Sequence, residues 1–285
     1  MAEIAVPDGS WTFDGEILRI VPGSGKDVHE LRKVLGEVVV PLKAVAGVAY
    51  EPARKGGHLR LRLRTGADPL TDAVAGALSP PADPYRLAVP KDRTGGAEYF
   101  ADEVRDTLLV HQPPSGPSEG YLLPGPAVPV SATAGDGTVL FDGQRVRLEW
   151  TGFAASEKAR SGAQEFALAD ITGVEWTPQS GMGYGSLRFR VKGEGPPRSA
   201  REDPHCVAWS IQRFGGTTAL VAAAVVARLP RDVPELPAPS PPSDDVHDAV
   251  LRRLAELGEL HRSGVLTDEE FSAAKQAMIR RLQAP

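Results

Sequence analysis

The sequence contains one cysteine, few aromatic residues and no long apolar run, and these shortages exclude several classes of protein. Because Cys206 has no second cysteine to pair with, an internal disulfide is excluded and we expect a reducing compartment. The longest uninterrupted apolar run, 219–227, is under half of the roughly 20 residues that a membrane-spanning helix needs. Residues 1–8 have neither a basic nor an apolar segment, so no signal peptide is predicted. The expected location is cytoplasmic.

Charge and motifs exclude further functions. A formal net charge of −5 and a pI of about 5.7 argue against a nucleic-acid binder. The histidines are scattered, with His58 expected at a turn and His205 in a strand, and no pair has metal-ligand spacing. Cys206 lacks a basic neighbour in sequence and is expected to be an inert small residue. We predict no cofactor, no metal and no catalytic residue, and therefore no enzyme.

The strongest feature of the sequence is an internal duplication. Residues 47–52 (GVAYEP) and 59–63 (LRLRL) recur as 173–178 (GVEWTP) and 187–191 (LRFRV). A Phe-Asp-Gly triplet lies before these segments in both copies, and a Gly-Gly pair lies after them. The offset between copies falls from 128 residues at the triplet to 120 at the Gly-Gly pair, as loop insertions between fixed strands would produce. Two homologous domains are predicted.

Each copy is expected to consist of short antiparallel strands closed by one helix. Asp14-Gly15 is a two-residue hairpin signal of the type I′ class. The leucines of 59–63 alternate with arginines, as in a strand with one buried face. Apolar residues at three- and four-residue spacing from Ala97 to Leu108 predict an amphipathic helix that ends before Pro113. The second copy ends in a helix, 218–229, that is apolar nearly all round and needs cover that the other domain could supply.

Composition divides the remainder of the chain into linkers and a tail. Within the first linker, residues 121–123 (YLL) are apolar enough to dock on a neighbouring surface. The predicted divisions are domain 1 (1–112), a Pro/Gly-rich linker (113–130), domain 2 (131–229), a Pro-rich linker (230–243) and a helical hairpin (244–283).

Seven short strands closed by a C-terminal helix, present twice, resemble the bacterial pleckstrin-homology-like (PH-like) fold, a β-barrel or sandwich. The Phe-Asp-Gly triplets, Pro41-Leu42 with Gly47-Val48, the strand 187–191 and the Gly-Gly helix starts are similar to a high-GC bacterial family of unknown function with tandem PH-like domains. The second copy departs from this pattern at Ala167-Leu168, where the first has Pro41-Leu42. The resemblance implies a mainly β fold with α elements (α+β) and no reaction to carry over.

The tail resembles the SHOCT module, a short C-terminal helical hairpin. The matching positions include Gly264, Val265-Leu266-Thr267, Glu269-Glu270-Phe271 and Lys275. The two predicted helices within 244–283 are too short to bury a core that is stable alone, so they need a partner surface. The resemblance implies an oligomerisation or docking element, whose candidate contact residues are Leu254, Leu257, Leu260, Phe271, Met278 and Leu282.

Two further sets of residues are candidates for partner binding. The outward arginines Arg60, Arg62 and Arg64 in the first copy and Arg188 and Arg190 in the second form rows that suit anionic groups. The alternative interpretation is that charged residues merely keep an exposed sheet face soluble. Met182 and Tyr184 lie in a glycine-rich stretch, 181–185, that reads as a hairpin loop and not as a phosphate-binding turn.

The function predicted from these features is a non-enzymatic protein-interaction or scaffold protein, with the C-terminal hairpin driving self-association or docking. The alternative is a peripheral binder of anionic lipid or another anionic ligand through the arginine rows. PH domains that bind phosphoinositides use a basic loop between their first two strands. The corresponding predicted loop, Asp14-Gly15, is short and acidic, so this mode of binding is disfavoured. No nucleic-acid partner is expected.

Overall fold

The structure is a computed structural model that describes residues 1–114, 116–196, 198–210 and 215–230. Residues Met1–Pro230 form one compact unit. The predicted Pro-rich linker, apart from Pro230 itself, and the predicted helical hairpin lie outside the described residues.

Domain 1 contains a four-stranded and a three-stranded antiparallel sheet, with strand orders β1-β2-β3-β4 and β5-β6-β7. Both sheets and the long helix α3 enclose one core, which contains Trp11, Phe13, Leu59, Leu61 and Phe100. The elements in chain order are β1 (Ala2–Val6), β2 (Gly9–Phe13), β3 (Ile17–Pro22), α1 (Glu30–Leu35), β4 (Val38–Pro41), β5 (Val45–Ala53), β6 (Gly56–Leu63), α2 (Pro69–Val74), β7 (Arg86–Pro90) and α3 (Thr94–His111).

Domain 2 repeats this arrangement, with strand orders β8-β9-β10-β11 and β12-β13-β14. Its core contains Phe141, Leu148, Leu187, Phe189 and Trp209. The elements are β8 (Val130–Thr133), β9 (Gly137–Phe141), β10 (Arg145–Trp150), α4 (Ser156–Ser161), β11 (Gln164–Ala167), β12 (Ile171–Thr177), β13 (Gly185–Val191), β14 (Cys206–Trp209) and α5 (Thr218–Val226).

The mainly β fold with two sheet-rich domains is therefore confirmed, whereas the barrel alternative is wrong. Within the described residues, the four-stranded and three-stranded sheets of each domain remain separate and do not close into a barrel. The chain passes from one sheet to the other through a short 3-10 turn, Leu42–Ala44 in domain 1 and Leu168–Asp170 in domain 2. Side chains from both sheets then share a core, as in a sandwich.

The Asp-Gly hairpins are present, but their turn type differs from the prediction. A type I′ turn needs positive φ at both central residues, and here only the glycines Gly15 and Gly143 have it, each at +107°. The aspartates stabilise the turns through their side chains. Asp14 Oδ1 accepts the N–H groups of Glu16 and Ile17, which lowers the pKa of this carboxyl group, and Asp142 does the same in domain 2.

In domain 1, strand β1 and helix α2 were not predicted. Strand β1 alternates buried Ala2 and Ile4 with exposed neighbours and pairs with β2 along its full length. Helix α2 begins at an N-cap, Asp68, whose carboxylate accepts the N–H groups of Leu70 and Thr71, with Pro69 at the first helical position. Its six residues are too few for periodicity to show, so the cap is its main signal in the sequence.

The two domains share part of their core. Helix α2 of domain 1 packs against α5 of domain 2, and Leu70, Ala73 and Val74 of α2 belong to the same hydrophobic cluster as α5. Residues 218–225 of α5 are all buried. The expectation that α5 needs cover from the other domain is confirmed. The apolar segment of the linker also docks as predicted, since Leu123 is buried in the core of domain 1.

Candidate functional site

An ion pair fixes the turn between the first two strands of domain 1. The Asp8 carboxylate lies in this turn, and Arg32 on α1 is 2.8 Å from Asp8 Oδ1 with its side chain only 4% exposed. The other carboxylate oxygen of Asp8 accepts the N–H of Ala88 on β7 at 2.8 Å. One carboxylate therefore joins the four-stranded sheet, the short helix and the edge of the three-stranded sheet.

Domain 2 repeats this connection with a different cation. Asp136 occupies the corresponding turn, accepts the N–H of Ala208 at 2.7 Å and lies 2.6 Å from Lys158 Nζ. The lysine side chain is fully buried, and its ammonium group also donates to the carbonyl oxygens of Ala200 and Cys206, both at 2.7 Å. All three hydrogens of the ammonium group therefore have acceptors, as a buried charge requires.

The region around this connection differs between the domains. In domain 1, Arg32, Asp8 and Ala88 line an open cavity of about 600 Å³. Much of the cavity wall is apolar and includes Pro7, Pro80, Pro81 and Pro90. Its charged groups are three cations and two carboxylates: Arg32, Lys55, Arg86, Asp8 and Asp27.

One arginine that lines this cavity is paired in the sheet with a second arginine. Arg86 on β7 lines the cavity and pairs directly with Arg60 on β6 in the sheet register, on the face opposite to buried Leu59 and Leu87. His58, one pleat away on the same face, also lines the cavity. Burial first, and then the charge of Arg86, lowers the pKa of His58. At neutral pH the imidazole is therefore uncharged.

Most of the sequence-predicted arginines bind groups within their own domain. Arg64 donates to the carbonyl oxygens of Lys43, Gly116 and Pro117, at 2.9, 2.9 and 3.1 Å. Arg190 lies 3.4 Å from Glu175. Arg62 is exposed and lies over the Gly47 backbone, where a Cβ atom would be 3.3 Å from its guanidinium.

Arg188 is the most deeply placed of this set. Its side chain is 14% exposed and lies 2.9 Å from Asp203 and 3.5 Å from Glu194. Arg188 Nε and Asp203 Oδ2, which are 2.9 Å apart, form an ion pair but are not aligned as a hydrogen bond. Arg188 therefore belongs to a charge cluster of the domain and does not point freely outward.

Met182 and Tyr184 lie in the loop between β12 and β13, as predicted, and both are exposed. Phe153, which sequence reasoning missed, is 88% exposed in the loop that follows β10. The turn that contains Asp136 connects the Phe153 loop to the end of β14. Thr151, which precedes Phe153, donates its N–H to the Asp136 carbonyl oxygen, and Asp136 donates its own N–H to the carbonyl oxygen of Ala208. The Met182 loop leads into Gly185, which pairs with Trp209 at that same end. We call Phe153, Met182 and Tyr184 the apolar rim of domain 2.

The structure places two of the histidines differently from the prediction, and Cys206 is buried as expected of a small inert residue. His58 lies within β6 and not at a turn, and His205 immediately precedes β14 instead of lying in it. Burial raises the pKa of the Cys206 thiol to about 12, so the thiolate nucleophile is scarce at neutral pH. Among the residues that the structure describes, no three His, Cys, Asp or Glu side chains form a metal-binding cluster.

No helix within the described ranges is long and apolar enough to cross a membrane. The candidate oligomerisation residues of the tail lie outside the described residues, so their contacts are not placed.

Within the described residues, the fold is that of two duplicated sheet domains. The family model described as Domain of unknown function (DUF4429) matches residues 11–105 and again residues 139–226, and the chain belongs to this family. The SHOCT model, described as Short C-terminal domain, matches residues 252–278. No curated protein is similar enough to this chain to count as a match.

Proposed function

We propose that this chain is a non-enzymatic interaction protein, in which the duplicated domains bind a protein partner and the C-terminal module assembles or docks the chain. The observation that carries the proposal is the apolar rim of domain 2. Met182 and Phe153 are almost fully exposed, and Tyr184 is 45% exposed. They lie in two loops that backbone hydrogen bonds and strand pairing connect to the end of β14. Large exposed apolar side chains are typical of protein-binding surfaces.

The proposal includes a fold assignment, a source and a location. We assign each domain to the PH-like class, and seven strands in two sheets followed by one C-terminal helix support this assignment. We also propose a high-GC bacterial source, which rests on the resemblance of the sequence given above. A single cysteine, itself buried, suits the reducing cytoplasm.

Photo-crosslinking tests the partner-binding part of the proposal. A photoreactive amino acid placed at position 182 of the full chain should give a discrete cross-linked species in cells. The same residue at position 140 is the control, because Leu140 is also an exposed apolar residue of domain 2 but lies on the outer face of the other sheet. Equal labelling from both positions, or none from position 182, would contradict the proposal.

The assembly role of the C-terminal module has a separate test. Light scattering after size exclusion should find an oligomer for the full chain and a monomer for a chain that ends at Ser243. The described unit, Met1–Pro230, lies wholly within the shorter chain and has its own cores, so we expect this truncation to fold. Two monomers would remove self-association from the proposal and leave docking on another protein.

The alternative function, binding of anionic surfaces through the arginine rows, has weaker support. Arg188 and Arg190 lie against carboxylates of domain 2, and Arg64 donates to three backbone carbonyl oxygens, so these guanidinium groups already have partners within the chain. A surface of this kind should bring the protein down with anionic vesicles in a salt-sensitive manner. Vesicle sedimentation that is lost in Arg62→Glu but not in Met182→Ser would favour this alternative over partner binding.

A further inference from the structure

Two arginines lie opposite each other on neighbouring strands of domain 1. Arg60 and Arg86 are directly paired across β6 and β7, and like charges in this position destabilise a sheet. Arg60 is partly compensated by Glu51 at 3.7 Å, where both side chains are about half exposed. Within the described residues, Arg86 has no ion pair, and its Nε atom is buried without a hydrogen-bond acceptor.

One carboxylate lies near both arginines but does not satisfy them. Asp83 is close enough to interact electrostatically with Arg60 and Arg86, and it accepts the N–H of Tyr85 at 2.9 Å. Burial, its largest influence, raises the pKa of this carboxyl group. Asp83 therefore reduces the repulsion between the arginines and leaves the buried donor of Arg86 unbound.

Domain 2 is an internal comparison for this arrangement. At the position of Arg60 it has Arg188, and the residue directly opposite is Cys206 instead of a second arginine. Arg188 also has two acids within reach, Asp203 and Glu194. The second copy therefore lacks the second arginine. It also has Glu194, which contacts Arg188 in addition to Asp203. In domain 2 the single arginine has two acids within 3.5 Å, whereas in domain 1 Arg86 has no ion pair among the described residues.

The unmatched arginine borders a cavity of ligand size. Lys55 and uncharged His58 line the cavity beside Arg86, while Pro80, Pro81 and Val89 form apolar walls. Arg32 and Asp8 bind each other, and Asp27 lies exposed in its loop. A cavity of about 600 Å³ with apolar walls and a few polar groups is typical of small-molecule sites.

We propose that this cavity binds a small organic anion, with its oxyanion on Arg86 and Lys55 and its apolar body against the prolines. The planar guanidinium group of Arg86 suits the oxygen atoms of a phosphate or carboxylate. A bound oxyanion offsets the positive charge that Arg86 adds beside Arg60. Domain 2 has Cys206 at the position of Arg86.

The test uses the full chain with phenyl phosphate as the probe, followed by thermal unfolding and calorimetry. We expect saturable binding that weakens as salt is raised, and at least threefold weaker binding of inorganic phosphate, which lacks the apolar body. Arg86→Gln should lower the affinity tenfold or more, and Lys55→Gln severalfold. Arg147→Gln is the matched control, because Arg147 is an exposed arginine on a strand of domain 2, and it should bind as the wild type does.

Stability without ligand separates a binding role from a structural one. If Arg86 serves a ligand, Arg86→Gln should be at least as stable as the wild type, because the substitution removes a like-charge pair. A clear loss of stability in Arg86→Gln, or unchanged phenyl phosphate binding in this variant, would overturn the proposal. Binding to anionic phospholipid vesicles without binding of free phenyl phosphate would also overturn it and would identify a membrane headgroup as the anion.

Discussion

Lys158 Nζ lies 2.6 Å from Asp136 Oδ2 inside domain 2, and no part of the lysine side chain is exposed to solvent. Arg32 and Asp8 form the matching pair in domain 1 at 2.8 Å. The duplication has thus retained the geometry of an ion pair while changing its cation. In both domains the pair connects elements that are distant in sequence, because the same aspartate also binds the last strand of the three-stranded sheet.

The buried pair gives the first prediction. Lys158→Met should destabilise the protein by about 3–5 kcal/mol, because it leaves Asp136 as an uncompensated buried charge and removes the donor to two carbonyl oxygens. Urea unfolding measures the loss. Arg147→Met removes an exposed ion pair with Glu149 and should cost about 0–1 kcal/mol. A loss of that small size for Lys158→Met would show that the buried pair contributes little.

The second prediction concerns the repeated Gly-Gly pairs. A Cβ atom at Gly215 would overlap the ring of Trp209, whereas a Cβ atom at Gly95 meets nothing within 4 Å. Gly215→Ala should therefore destabilise domain 2, by about 1–3 kcal/mol as in overpacked cores. Gly95→Ala, in α3, should be neutral or stabilising by up to about 1 kcal/mol. Thermal unfolding of the two variants side by side checks this contrast, and equal effects would contradict it.

The third prediction concerns the packing of α2 on α5. Leu70→Ala should cost about 2–5 kcal/mol and weaken the coupling between the domains, since Leu70 belongs to the core cluster of domain 2. Trp11 is the only tryptophan of domain 1, so a variant with the other three replaced by phenylalanine reports on that domain alone. Leu109→Ala, at a side chain that is 72% exposed, is the control. Unchanged cooperativity in Leu70→Ala would contradict the shared core.

The fourth prediction is a loss of stability at mildly acidic pH. His29 caps α1 by accepting the N–H of Leu31 at its Nδ1, and burial lowers the pKa of this imidazole below 6.5. The unfolded chain therefore binds protons at a higher pH than the folded chain does, so stability falls as the pH drops through 6.5. Protonation of Nδ1 also removes the cap.

His29→Asn is the variant that tests this mechanism, because asparagine keeps a capping oxygen but cannot take up a proton. Its stability should fall less than that of the wild type between pH 7 and pH 5. The pKa of His58 is also lowered, so part of the decline should remain. Parallel stability curves for the wild type and His29→Asn would exclude His29 as a cause.

The sequence predicted the features that depend on local pattern or on the duplication. Alternating leucines identified β6, helical spacing identified α3, and the apolar circumference of α5 indicated that a second surface covers it. Helix α2 escaped detection because six residues give less than two full turns, too few for a period to be recognised. Strand β1 alternates as strands do, but the alternation extends over only five residues.

The candidate site was harder to predict because its residues meet only in three dimensions. Asp8, Arg32 and Arg86 come from a turn, a helix and an edge strand. The alternation of β6 correctly placed Arg60 on the outer face, but the residue opposite it depends on strand register. Comparison of the copies does contain a usable signal, since Arg86 of the first aligns with Cys206 of the second. A charge difference at matched positions is visible in the sequence and distinguishes the two copies.

The packing of α2 against α5 has a consequence for synthesis of the chain. Leu70, Ala73 and Val74 leave the ribosome long before 218–226, the segment that covers them, and they remain uncovered during that interval. The strands and closing helix of domain 1 are all present by His111, so this domain has the residues to fold during translation around its own core. Its apolar helix α2 then serves as a preformed docking surface on which the last helix of domain 2 completes folding. The order of translation therefore makes the first domain a template for the second.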